Sequence, residues 1–425
     1  MYPLRPPYVF VHRRVARNRL AVARMERILA AIGNPPLIEV DATDTDRVLE
    51  MAGPPAGLPA VGGRLRQGLE RREADPSFLF NTFVWDQADR VAPTTRFHNS
   101  LAQRIAAVMA GVGEDFAFSR REANWTSGGT QYVCQGGWGI HSLKGCPHRC
   151  DYCDEAYIVN LMLDLEDFGD HVSRMLSRRP EQKLYRYDLF SDSLGFEPEY
   201  GASAILSECF AKSGDKYLLY YTKSDNVEHL LELPYRSNSI FYCTLSTDSV
   251  CRFIERGTPS MEQRIEGLRK CQQAGYRVRV GFSPIIPVRN WREEASECIE
   301  KLVAKVQPET VRLWILSLMT AAETETLIRP ELLDPEAVRA MHAAAPHLSE
   351  GFAQPFPLET RVEVYGHYLD VMGRASPATP VSLCSETPAV WERLAGKLRM
   401  TPDRLYCCCG GRSGAPEAAA AAAAP

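Results

Sequence analysis

Three cysteines fall close together in the stretch Lys144-Gly145-Cys146-Pro147-His148-Arg149-Cys150-Asp151-Tyr152-Cys153. Spaced four and three residues apart, Cys146, Cys150 and Cys153 can all point into one concave turn. Three thiolates hold three irons of a cubane [4Fe–4S] cluster and leave the fourth iron without a protein ligand. An open position on a metal lets a small molecule bind inner-sphere and react. The competing reading is zinc, with His148 or His141 as a fourth donor. Zinc wants a closed tetrahedron, usually built from two separated pairs of ligands, and the loop offers three cysteines.

A second set of thiols lies near the end of the chain, where Cys384 is followed by Cys407-Cys408-Cys409 and then Gly410-Gly411. Adjacent side chains on an extended strand face opposite ways, so all three can share one metal only if the backbone turns. The two glycines permit such a turn. One reading is a second iron–sulfur cluster held by Cys384, Cys407, Cys408 and Cys409. A second gives Cys407, Cys408 and Cys409 a catalytic part, as thiols that donate a hydrogen atom or resolve a radical, and a third leaves them inert. Cys134, Cys209, Cys243, Cys251, Cys271 and Cys298 lie mostly in periodic segments and read as core.

The first thiol loop needs a scaffold, and the surrounding pattern supplies one. From Gln131 to Met319 apolar strands alternate with helices, which calls for a parallel sheet. Strands are expected near 138–143, 184–190, 217–222, 239–245, 277–282 and 311–316. Helices are expected near 165–176, 200–212, 227–231, 261–274 and 291–306. Six βα units predict an α/β fold, a partial (βα)6 barrel more open than the eight-fold form. The polar residues Ser191, Asp192, Lys223, Thr244 and Ser246 all fall at carboxyl ends of strands, the face where such barrels carry their sites.

The domains expected are 1–130, an N-terminal α/β extension; 131–320, the barrel; 321–411, a cysteine-containing C-terminal region; and 412–425, a low-complexity tail. Strands at 8–11 and 36–40 around a helix at 16–31 read as a β-α-β unit, and 53–63 as a Pro/Gly-rich loop. A helix is expected from His98 to Val112, a strand over 362–368 and a helix over 388–398. His98 and Trp85 read as packing residues.

At 425 residues, with 45% apolar and 24% charged residues, the chain has the composition of a globular protein with a large core. A net charge of −4 argues against tight, unspecific nucleic-acid binding, though a local basic face is compatible with it. No apolar run is long enough to span a membrane. Thirteen cysteines, concentrated in two clusters of a long chain, suit a reducing cytoplasm.

The Cys-x3-Cys-x2-Cys loop, with an aromatic before its last cysteine, resembles the signature of the radical S-adenosylmethionine (SAM) enzymes. Tyr221-Thr222-Lys223-Ser224-Asp225-Asn226-Val227 narrows the likeness. So do Arg252, Arg256-Gly257-Thr258-Pro259-Ser260, Arg264-Ile265, Gln273-Ala274-Gly275-Tyr276 and Phe282-Ser283-Pro284-Ile285-Ile286. Together they resemble the spore photoproduct lyase branch, over about residues 130–320. The resemblance implies that SAM binds the open iron and is split by one electron, from a donor such as flavodoxin or ferredoxin. It further implies that Ser191 and Asp192 hold the SAM amino group or ribose and that Lys223 pairs with its carboxylate. Thr244 and Ser246 would line the nucleoside pocket, with Tyr152 near the adenine. The expected substrate is a small or nucleoside-like molecule in biosynthesis, with DNA-lesion repair as the alternative and a non-catalytic zinc protein as a third reading. Two positions depart from the repair enzymes: Tyr187-Asp188-Leu189-Phe190-Ser191 lacks their hydrogen-donating cysteine, and Asp154 stands where they favour Tyr.

Overall fold

A computed structural model of the chain describes residues 1–53, 66–71, 74–97, 100–155, 158–345, 348 and 354–414. His98, the core of the expected 53–63 loop and most of the expected tail lie outside them.

All six expected barrel strands form, as Gly137–Ile140, Leu184–Tyr187, Tyr217–Thr222, Ser239–Leu245, Arg277–Ile285 and Val311–Ile315. They lie side by side and parallel in that order. Parallel neighbours need a crossover between them, and the intervening helices supply it. Val381–Leu383 adds a further parallel strand beyond Val311–Ile315, and Phe118–Arg121 adds an antiparallel one at the other edge. The result is an eight-stranded, curled half-barrel sheet.

Residues 362–368, expected as a strand, instead belong to the helix Leu358–Ala375. Val364, Tyr365, Tyr368, Leu369, Val371 and Met372 are buried along it, a helical period that outweighs the short alternation. This helix supplies part of the crossover that parallel pairing of Val381–Leu383 with Val311–Ile315 requires. The second strand stops at Tyr187 rather than 190. There Asp188 turns inward, and its carboxylate accepts the Ser142 and Leu143 backbone N–H groups and faces His141 Nδ1 at 2.6 Å.

The N-terminal β-α-β unit forms as Val9–His12, Arg19–Ala31 and Leu37–Val40, with Asn18 capping the helix through the Leu20 and Ala21 N–H groups. These strands belong to a second sheet that also takes Ser77–Asn81, Ile158–Met162 and Leu143–Lys144. The last two run antiparallel and flank the cysteine loop. The loop is therefore held at both ends by the N-terminal sheet.

Candidate active site

The carboxyl ends of the barrel strands open into a cavity. Cys146, Cys150 and Cys153 line one side. Ser191, Asp192, Lys223 and Thr244 line it from the strand ends, as expected, together with Tyr152. Phe190, Tyr221, Ser283, Pro284 and Trp314 complete most of the wall.

The loop's shape follows from its anchors. Gly145 has φ +92°, and a Cβ there would stand 2.1 Å from the Ile158 carbonyl oxygen. Cys146 N–H donates to Glu155 O and Cys153 N–H to Cys150 O, both at 2.9 Å. Arg149–Cys150 pairs antiparallel with Glu255–Arg256. From beneath, Gln67 N–H donates to Cys153 O and Gly68 N–H to Asp151 O, while Arg66 donates to Tyr152 O. Residues 66–68 thus fix the loop from a segment far away in sequence. Gly145→Ala is expected to cost about 1–3 kcal/mol through backbone strain alone. Iron retained after desalting should fall with it; an unchanged urea midpoint and iron content would show that the turn tolerates a side chain.

Burial pushes all three thiols up, Cys153 to about 12, and nearby carboxylates add to it: Asp192 at Cys146, Glu255 at Cys150, Asp154 at Cys153. Metal ligands must be deprotonated, so these sulfurs become thiolates only beside a strong positive charge, which bound irons supply. Of the two candidate histidines, His141 is enclosed by its own hydrogen bonds, whereas His148 lines the cavity and its Nε2 has no hydrogen-bond partner. His148 bonds Gly257 O through Nδ1 and stands 3.3 Å from Asp192 through Nε2. His141 lies between Asp188 and Ser119 Oγ, fully buried. Among the described residues no three His, Cys, Asp or Glu side chains converge closely enough to hold a single metal ion. Cubane ligands sit on different irons and stand wider apart, so the donor set fits a cluster better than zinc.

The polar wall is more heavily engaged than the sequence suggests. Asp192 accepts from Thr222 Oγ1 and Lys223 N–H at 2.7 Å and from Leu194 N–H at 3.1 Å. Burial opposes its charge, yet His148, Thr222 and the Lys223 N–H hold its carboxyl below the usual range. It braces the rim. Lys223 Nζ donates to Thr244 Oγ1 at 2.9 Å and Ser283 O at 3.1 Å, and meets Glu255 Oε1 at 2.9 Å. Ser246 does not line the cavity; its hydroxyl donates to Glu255 from behind the wall. Ser191 Oγ is buried without a hydrogen-bond partner in the structure, which leaves it available to a ligand.

Glu255 is the residue that sequence reasoning missed. Fully buried, it accepts from Tyr152 OH at 2.5 Å and Ser246 Oγ at 3.0 Å, and pairs with both Lys223 and Arg264, the latter at 2.7 Å. Its backbone also pairs with Cys150, so it ties the cysteine loop to the barrel. Burial would raise its pKa, but Lys223 and Arg264 hold it down at about 2. The only signal in the sequence was a carboxylate lodged in the arginine-bearing run 252–264. Because the folded pKa lies below the ordinary glutamate value, this network's stability is fully present above about pH 4.5. It is lost as the pH falls toward 2. Acid titration should therefore show unfolding that steepens over that window in the parent and less so in Glu255→Gln; identical profiles would show that the Glu255 charge carries no such stability.

Cys384, Cys407, Cys408 and Cys409 do not line this cavity. The C-terminal segment crosses the amino ends of the strands, where Gly411 O accepts from the Lys183 and Leu184 N–H groups. The expected set of four thiols needs correction at Cys408. Its thiol faces the Val280 and Thr310 carbonyls, 3.3 and 3.6 Å away, and packs against Leu219, Ile240 and Tyr242. Cys407 lies against Cys409, whose sulfur also meets Arg312 Nη1 at 3.7 Å.

A parallel half-barrel with a three-cysteine loop at its carboxyl rim is the architecture of the radical SAM enzymes. Residues 137–326, which hold the half-barrel and the three-cysteine loop, match the family described as "Spore photoproduct lyase". Spore photoproduct lyase of Bacillus subtilis is 28% identical over 183 residues, 41% of this chain and 53% of that protein. The Clostridium acetobutylicum enzyme is 24% identical over 185 residues, 41% and 54% of the two chains. The matches thus span about half the length of these relatives. In three dimensions the likeness is wider. A cysteine-to-alanine mutant of spore photoproduct lyase with dinucleoside spore photoproduct superposes with a TM-score of 0.60 at 15% identity, covering 90% of this chain and 98% of that one. A double mutant of spore photoproduct lyase with bound AdoMet and dinucleoside spore photoproduct gives 0.58 at 14% identity, with the same coverage.

Proposed function

We propose that the chain is a radical SAM enzyme acting on a nucleoside-type substrate. The observation that carries the reading is the trio of cysteines that lines the cavity at the carboxyl rim of a parallel half-barrel. A [4Fe–4S] cluster on Cys146, Cys150 and Cys153, given one electron by a flavodoxin- or ferredoxin-like donor, would split SAM to methionine and a 5′-deoxyadenosyl radical that abstracts hydrogen.

The chain's own residues bind and exclude. Ser191 Oγ offers a free hydroxyl to the polar end of SAM, and Thr244 contributes to the nucleoside side of the cavity. Lys223, held by Glu255, places its ammonium on that wall. Phe190, Tyr221, Pro284 and Trp314 supply apolar and aromatic surface that keeps water from a reactive intermediate. Tyr152, held by Glu255, packs beside the loop.

Two substrate readings follow from different observations. Likeness to proteins whose structures contain dinucleoside spore photoproduct favours repair of a DNA lesion. The lining favours another nucleoside-like substrate, because the loop cysteines are the only thiols among its described residues and no cavity cysteine remains to return a hydrogen. Sulfur insertion or quenching by Cys407, Cys408 or Cys409 has no support from the cavity wall.

The experiment is anaerobic reconstitution with iron and sulfide, then SAM and dithionite, with and without dinucleoside spore photoproduct. Formation of 5′-deoxyadenosine supports the radical reading, and its absence rejects it. Restored thymine dinucleotide selects repair. Uncoupled SAM cleavage with intact photoproduct selects a different nucleoside.

A further inference from the structure

Three segments distant in sequence meet beside the strands Gly137–Ile140 and Val311–Ile315. An antiparallel bridge joins Val133 to Glu386, with Val133 N–H donating to Glu386 O at 2.8 Å. Gly411 N–H donates to Gly136 O at 3.1 Å. The Gln135 amide donates to Leu405 O and accepts from Arg412 N–H and Ser413 Oγ. Cys384 is fixed by its own N–H on Leu313 O at 2.8 Å.

These contacts bring Cys134 and Cys384 beside the segment that carries Cys407 and Cys409. The Val133–Glu386 bridge and the Gly411–Gly136 hydrogen bond place Cys134 between the two segments, and a Cβ at Gly137 would stand 3.2 Å from the Cys409 carbonyl oxygen. Donors already point at two of the sulfurs: Gly136 N–H at Cys134 Sγ, 3.3 Å, and Arg312 Nη1 at Cys409 Sγ, 3.7 Å. A Cβ at Gly410 would come within 2.7 Å of Cys407 Sγ, so the glycine keeps space beside that thiol open.

We propose that Cys134, Cys384, Cys407 and Cys409 bind a second metal centre, an iron–sulfur cluster, with Cys408 excluded from it. Among the described residues no three such side chains converge on one ion-sized point, so a lone zinc ion is not the occupant proposed. Hydrogen bonds to the sulfurs and burial are what set the potential of such a centre. Four thiolates leave no iron open, so this cluster does not bind SAM. Arg312 connects it to the site above: its Nη2 donates to Tyr221 OH at 2.8 Å and Ser283 Oγ at 2.9 Å, and both residues line the mouth cavity.

The test is iron and sulfide content with electron paramagnetic resonance of the reduced, anaerobically reconstituted full chain. Removing the mouth ligands together (Cys146→Ala, Cys150→Ala, Cys153→Ala) should leave roughly half of the parent's iron and a cluster signal unaffected by SAM. Adding Cys134→Ala to that background should remove the remainder, whereas adding Cys408→Ser should keep it. A triple variant free of iron would overturn the proposal while leaving the mouth cluster standing. So would zinc in place of iron, a Cys407–Cys409 disulfide found by mass spectrometry, or iron that depends on Cys408 and not on Cys134. A triple variant with the parent's full iron would instead reject the mouth ligands.

Discussion

Cys150→Ala is expected to reduce reductant-dependent 5′-deoxyadenosine formation by more than about 100-fold, since loss of even an outer-shell partner of a metal site costs 10–100-fold. Cys150 is buried and its backbone pairs with Glu255, so no neighbouring thiol can move into its place without breaking that pairing. Two cysteines cannot present a cubane with a single open iron. Cys298→Ala is the control. That thiol is buried on the helix Trp291–Lys305, away from the cavity, and its removal should leave iron content and SAM cleavage near the parent's. Cleavage that survives Cys150→Ala would move the cluster off this loop.

Glu255→Ala should have the largest effect on stability. The substitution leaves Lys223 and Arg264 facing each other in the interior without their shared carboxylate, and Tyr152 and Ser246 without an acceptor. Breaking a buried ion pair by removing one partner costs about 3–5 kcal/mol. Glu255→Gln keeps the shape and some hydrogen bonding but not the charge, and should fall between Ala and the parent. Urea unfolding under anaerobic conditions measures both. A loss below about 1 kcal/mol in the alanine variant would mean that solvent or side-chain rearrangement satisfies the two cations, contrary to a sealed network.

The barrel was legible because each strand is a short apolar run closed by polar residues and followed by a helical period, a local signal. Ser191, Asp192, Lys223 and Thr244 could be placed at the mouth by the same logic, since strand position fixes which end a residue reaches. What each does there is not local. The family resemblance pairs Lys223 with a carboxylate of the ligand, but the fold supplies one from Glu255, some thirty residues on. Ser246 has the right position along its strand and the wrong facing. The clamp on the cysteine loop by residues 66–71 depends on tertiary contacts that periodicity does not encode. Residues 362–368 mislead because a few alternating positions also fit one face of a helix. Cys134, which reads as core, is brought beside the C-terminal segment by the Val133–Glu386 bridge and by the contacts of Gln135 and Gly136, none of them local in sequence.

Three thiols that hold a cluster with one iron left for SAM are the centre on which the proposed chemistry depends. The most direct measurement is electron paramagnetic resonance of the reduced, reconstituted protein before and after SAM is added, on the Cys134→Ala background so that one cluster is observed. The expected result is a [4Fe–4S]⁺ signal whose g-values shift when SAM binds and which is absent from Cys150→Ala. A signal that is indifferent to SAM, or no iron bound at all, would contradict it.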